Sequence, residues 1–177
     1  MKLLHLIAAM AIAQMASAQD FCKDIKKEVS DNKMLTEYES PYKESALPLI
    51  RVKRSVSVDE DTPFDNFVMV FRVICGVDDI YATNSDGGKT EKPEKRLTIV
   101  FDDNTRIVDD TVDVMHDITV DRTEAIRYIY YPVIPETVGD LSSKKISKFV
   151  IAGQEVPVPA DNANAIMQYT KCIRNAK

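Results

Sequence analysis

The chain has 177 residues, 45% hydrophobic and 29% charged, with a formal net charge of −5 and no Trp. That length suits one domain of about 100 to 200 residues, and the acidic balance gives no electrostatic basis for binding nucleic acid. The local cluster Arg51, Lys53, Arg54 does not change this, because it falls within a strand-like alternation where solvated Lys and Arg are ordinary.

Residues 1–18 have the pattern of a secretory signal: Lys2, the apolar run Leu3 to Ala13, then Ala16-Ser17-Ala18 ahead of Gln19. The run is shorter than the roughly 20 residues that a spanning helix needs, and no later segment reaches that length, so no membrane span is expected. Removing the leader takes Lys2 with it, and the net charge moves from −5 to −6. The expected organisation is a signal peptide over 1–18 and a single secreted β-rich domain over 19–177.

In chain order, Phe21, Cys22, Ile25 and Val29 share a helical side, which predicts a short helix over 20–29. Met34 to Tyr42 ends in Ser40-Pro41 and predicts an extended edge piece. Ile50, Val52, Val56 and Val58 then occupy one strand face, interrupted by Arg54, while Arg51, Lys53, Ser55 and Ser57 occupy the other. The longest apolar run of the mature part, Asn66 to Val77, reads as the central strand. Phe67, Met69, Phe71, Val73 and Cys75 lie on one face of it, with Val68, Val70, Ile74 and Arg72 on the other. Two mostly apolar faces predict cover on both sides, by a second sheet and by a helix or long loop.

Ile80 to Ala82 predicts a short strand, and Thr83 to Lys95 is the most loop-like stretch. Leu97 to Phe101, the turn Asp102-Asp103-Asn104-Thr105 and Arg106 to Val108 predict a hairpin with a four-residue loop. From Thr111 to Asp121 the period is two. Val112, Val114, His116, Ile118 and Val120 would face inward, and Asp113, Asp117 and Asp121 outward in a row. Ala125 to Val133 predicts a further strand ended by Pro132 and Pro135. On it Tyr128 and Tyr130 are expected to point to the core. Ile129 and Tyr131 fall on the second face, as partner-surface candidates or as residues lying beneath a terminal helix, the cover that the pattern favours. Thr137 to Ser143 predicts a one-turn helix or tight crossover, Ile146 to Ala152 and Glu155 to Val158 two strands joined at Gly153-Gln154, and Asp161 an N-cap for a final helix reaching Asn175.

Export places the three cysteines where disulfides persist. Cys75 sits on an apolar strand face as a small hydrophobe, leaving Cys22 and Cys172 as the disulfide candidates. A free exposed thiol or a pairing of Cys75 are the alternatives. Closing about 150 residues would contribute roughly 4 to 5 kcal/mol in the chain-entropy picture.

His116 is the only histidine beyond the leader, so sites that need two imidazoles are excluded. A Cys75/His116 nucleophile pair is formally available, but a packed histidine is the plainer account. No Gly-x-Ser-x-Gly elbow, P-loop or dinucleotide fingerprint occurs. Asp59 to Val70 lacks the Gly and the Glu of a calcium loop. The carboxylates at 109, 110, 113, 117 and 121 are spaced as a solvated face, and no cofactor, metal or catalytic residue is assigned.

Leu97 to Phe101 with its Asp-Asp-Asn-Thr turn, the run Leu141 to Phe149, and a closing helix with Tyr169 and Cys172 resemble a group of uncharacterised secreted bacterial proteins. The resemblance covers roughly residues 66–174. It implies a β-rich fold in an exported bacterial protein and carries no activity onto any residue.

The expected fold is α+β, mainly β: an antiparallel β-sandwich with short N- and C-terminal helices packed on a sheet. The expected function is a non-catalytic secreted or envelope-associated binding or accessory module with an unknown protein or glycan partner, as a monomer rather than an oligomer. Two alternatives are an extracellular glycan hydrolase using paired carboxylates and a structural protein that pairs through an open sheet edge.

Overall fold

The computed structural model describes residues 21–42, 49–59, 61–77, 80–83, 89–91, 95–118 and 124–177. Twelve strands are present among them: β1 (Lys26–Val29), β2 (Leu35–Glu39), β3 (Leu49–Ser57), β4 (Phe64–Gly76), β5 (Tyr81–Thr83), β6 (Lys89–Glu91), β7 (Lys95–Phe101), β8 (Arg106–Asp113), β9 (Met115–Ile118), β10 (Glu124–Pro132), β11 (Ile146–Ile151) and β12 (Gln154–Pro157). Two helices, α1 (Pro135–Ser143) and α2 (Ala160–Asn175), complete the set with one helical turn at Phe21–Lys23. A six-stranded sheet in the order β1-β2-β3-β4-β10-β9 faces a four-stranded sheet in the order β12-β11-β7-β8, and β5 and β6 form a separate pair. Every strand pairing is antiparallel. The fold is mainly β and sandwich-like, as the sequence leads one to expect.

The core lies between the two sheets. Val52, Met69, Phe71 and Ile129 of the larger sheet and Ile99 and Phe149 of the smaller one have no exposed surface, and the Phe71 and Phe149 rings meet at 5.2 Å between centroids. Since α2 packs on both β3 and β11, its buried stripe of Ala163, Ile166, Thr170 and Ile173 extends the core beyond the smaller sheet. The expected stripe is therefore present, with Met167 only half-buried. Pro159, not Asp161, takes the N-cap position, and Asp161 lies in the first turn.

Cys22 and Cys172 form a disulfide, with Cα atoms 5.3 Å apart, while Cys75 is buried and takes no part in it. The N-terminal helix is much shorter than the periodicity predicts. Lys26 to Val29 instead pairs with β2 as an exposed edge strand, and a strand of four exposed residues gains more from ladder hydrogen bonds than from a helix with little to bury. The predicted edge piece over 34–42 becomes β2, one strand in from that edge.

The hairpin of β7 and β8 has the four-residue loop that the sequence predicts. Asp103 tightens it by accepting from the Thr105 backbone N–H at 2.9 Å and from Lys144 Nζ at 3.0 Å. Hydrogen bonds from Thr105, then the Lys144 ammonium, lower the Asp103 carboxyl to about 2. The stretch from Thr111 onward differs from expectation in one respect. It is two strands, because the chain leaves the smaller sheet at Val114 and joins β10 of the larger one as β9. Backbone extension through the crossing preserves the alternation, with Val112 and His116 inward and Asp113 and Asp117 exposed. Val120 and Asp121 lie outside the described residues. The predicted loop over 83–95 contains β6, and the helix expected from Thr137 begins at Pro135. Between β11 and β12 the turn is Ala152-Gly153, with both residues at positive φ. That is the geometry of a two-residue hairpin, which Gly adopts freely and Ala at a cost.

Arg54, which interrupts the inward face of β3, closes the end of α2. Its Nη1 donates to the carbonyls of Ile173, Arg174 and Ala176 at 3.0, 3.1 and 3.0 Å, while Nε and Nη2 hold both oxygens of Asp65 at 2.8 Å. A fixed cation at a helix C-terminus satisfies carbonyls that have no partner within the helix. Replacement Arg54→Ala is expected to cost about 2 to 3 kcal/mol, mostly through these carbonyl bonds, and Arg54→Lys somewhat less. Urea unfolding with the disulfide intact measures both, and an Arg54→Ala loss below about 0.5 kcal/mol would deny Arg54 this role.

Candidate functional site

The alternation of β4 that buries Phe67, Met69, Phe71, Val73 and Cys75 sends Val68, Val70, Arg72 and Ile74 to the other side of the large sheet. Cover by a helix or long loop was expected on that second face. The structure shows otherwise: Val68 and Arg72 are half-exposed and Ile74 is 43% exposed, and both the smaller sheet and α2 lie on the inner side. This outer face is the most distinctive surface among the described residues.

Register places its side chains in rows. Arg51, Val70 and Tyr130 align across β3, β4 and β10, and Leu49, Arg72 and Tyr128 form the next row. Lys53 faces Val68 in the row on the far side of Arg51. Tyr130 is 55% exposed, and its ring meets that of Tyr128 edge-on at 5.8 Å. The Arg51 guanidinium stacks on Tyr42 at 4.0 Å and pairs with Glu39. Lys53 pairs with Glu37 at 2.7 Å, and Lys53, followed by Ser55, lowers the Glu37 carboxyl. The Tyr128 hydroxyl bonds to Asp117; burial first, then this carboxylate, raises its pKa. Leu35, Phe64, Asn66 and Ser55 continue the surface as a groove of about 550 Å³.

The two partner-surface candidates are not on this face. Ile129 and Tyr131 are 0% and 4% exposed and belong to the inter-sheet core, so the assignment of β10 faces is reversed: Tyr128 and Tyr130 point outward. The physical reason is Arg127. Its charge marks the face of Ile129 and Tyr131 as the wet one, yet Arg127 is itself 3% exposed. Its Nη1 reaches the Ile151 carbonyl and Gln154 Oε1, each at 3.4 Å, and its Nε donates to His116 Nε2 at 3.3 Å. A buried cation that gains several acceptors can occupy a core face.

The same contact places His116 inward at the end of the sandwich. Cys75 shares that inner face but lies on β4, with β10 between it and β9, so register separates thiol and imidazole by roughly 10 Å or more. They do not form a nucleophile pair. Cys75 Sγ donates weakly to the Ala125 carbonyl at 3.7 Å. The acidic row is divided as well, since Asp113 and Asp117 belong to different sheets, Asp110 pairs with Arg96 at 3.2 Å, and Asp109 accepts from Thr111. Among the described residues no three His, Cys, Asp or Glu side chains are gathered to hold a metal ion.

Comparison with protein families, curated proteins and solved structures finds no match to this chain.

The reversal of β10 has a direct consequence for stability. Tyr131→Ala is expected to cost about 3 kcal/mol or more, as an emptied core site, and Tyr130→Ala less than about 1 kcal/mol. Denaturant unfolding of the two variants checks this, and equal losses would contradict the assignment.

Proposed function

We propose that the protein is a non-catalytic binding or accessory module, exported to the periplasm or beyond the cell, that receives a protein or glycan partner on the outer face of its six-stranded sheet. The observation that carries this reading is the exposure of Tyr130, Phe64 and Ile74 together on a sheet face whose other side is packed where β3, β4 and β10 meet the smaller sheet and α2. Tyrosine and arginine are the side chains that most often concentrate binding energy at an interface, and here they sit on strands held rigidly from behind.

Export is supported by the disulfide and by the signal-like residues 1–18; no helix among the described residues is long and apolar enough to cross a membrane. A hydrolase reading draws less support, because among the described residues the carboxylates whose pKa moves, Glu37, Asp65 and Asp103, move down, held ionised by neighbouring cations and hydrogen-bond donors, whereas a glycosidase acid must be raised. Pairing through a sheet edge is disfavoured at β1, where Lys26, Lys27 and Glu28 present charge.

The test is recovery of envelope proteins and glycans by the tagged, disulfide-intact protein, compared with Tyr130→Ala and Val68→Lys variants of unchanged melting temperature. Loss of most of the recovered material in both variants is expected. Undiminished recovery would remove the outer face from consideration.

A further inference from the structure

One part of the outer face has unsatisfied charge. Arg51, Val70, Arg72, Asp117, Tyr128 and Tyr130, with Leu49, line a cavity of about 220 Å³, so two guanidiniums face one carboxylate, and that carboxylate is engaged by the Tyr128 hydroxyl. Among the described residues, the Arg72 side chain has no hydrogen bond or ion pair. Arg51 is ion-paired with Glu39, and Arg51 Nε and Glu39 Oε1 are both buried without a hydrogen bond. Burial, and then the positive charge of Arg72, lower the Arg51 pKa, opposed by Tyr130 and Glu37. Two guanidiniums on one cavity, of which Arg72 has no ion-pair partner, are stabilised by an anion placed between them.

We propose that this cavity holds the carboxylate of an acidic sugar, a uronate residue of an anionic polysaccharide, with Arg51 and Arg72 taking the charge and Tyr128 and Tyr130 flanking the ring. This rests on the outer face being the binding surface. Guanidinium matches a carboxylate through two parallel hydrogen bonds, and tyrosine supplies both an apolar ring and a hydroxyl. A sugar fits this place better than an acidic peptide does. The backbone groups of β4 are committed on both sides, to β3 and to β10, so a peptide laid across the sheet face finds no ladder for its own N–H and C=O groups. The many hydroxyls of a sugar are served by side chains and water instead.

Calorimetric titration of the purified, disulfide-intact protein with oligogalacturonate tests this, with a neutral galactose oligomer and polyglutamate as comparators. Oligogalacturonate is expected to bind, the two comparators much more weakly, and Arg72→Gln to reduce uronate affinity about tenfold or more. Arg72→Lys keeps the charge but loses the two-pronged geometry. A several-fold loss is expected for it, which keeps the test decisive if Arg72→Gln is poorly folded. Failure of oligogalacturonate to bind, equal binding of polyglutamate, or affinity unchanged in both Arg72 variants would each overturn the proposal. Recovery of partners that falls in Tyr130→Ala but not in Arg72→Gln would overturn the acidic-sugar assignment alone, while recovery unchanged in both would overturn the surface reading as well.

Discussion

The structure depends on one packed contact, the burial of the inner face of β4 against the smaller sheet. Met69 and Phe71 have no exposed surface, and Phe71 reaches across to Phe149. Fully burying side chains of this size is worth about 1.5 to 3 kcal/mol each, and the shared inner face also takes in Val52 and Ile129 from the flanking strands. Because strand side chains alternate strictly, committing one face fixes the other. Val68, Arg72 and Ile74 are therefore displayed as a consequence of what lies beneath them, while Val70, in register between Arg51 and Tyr130, is itself buried; a rigid surface follows directly from the core.

The two sheets are unequal, and the chain ends compensate for the difference. Four strands cannot cover six, so α2 lies over the inner side of β3 and brings Ile166 and Ile173 into the core. Its last turn is then fixed from three directions. The disulfide joins Cys172 to Cys22, Arg54 takes three carbonyls, and Lys27 Nζ donates to the carbonyl of Lys177 at 3.1 Å. Arg174 adds a bond to Ser142 at 3.0 Å, which ties α2 to α1. A covalent link across 150 residues restricts the unfolded chain, while Arg54 acts on the folded state, so the two devices stabilise by different routes.

Much of this was legible in the sequence where pattern and burial coincide. The inner face of β4, the four-residue hairpin loop, the buried stripe of α2 and the partnership of Cys22 with Cys172 all follow from periodicity, turn chemistry and cysteine placement. Two of the misses share a physical origin, the treatment of charge as a marker of solvent. Arg127 is buried with carbonyl, amide and imidazole acceptors, and reading it as exposed reverses β10 and hides Tyr128 and Tyr130. Arg54 is likewise more than an interruption of an apolar face. The break at Val114 leaves no trace in the pattern, because an extended chain crossing between sheets keeps the same alternation. The outer surface was illegible for a further reason: its residues come from β2, β3, β4, β9 and β10, and only strand register, which the sequence does not state, brings them together.

One-sided burial of the large sheet is the claim on which both the fold and the binding surface rest, and tyrosine nitration of the native protein, mapped by peptide mass spectrometry, tests it most directly. Tyr130 is expected to react readily, with Tyr131 and Tyr38 protected until the protein unfolds. Rapid nitration of Tyr131 alongside a protected Tyr130 would contradict it.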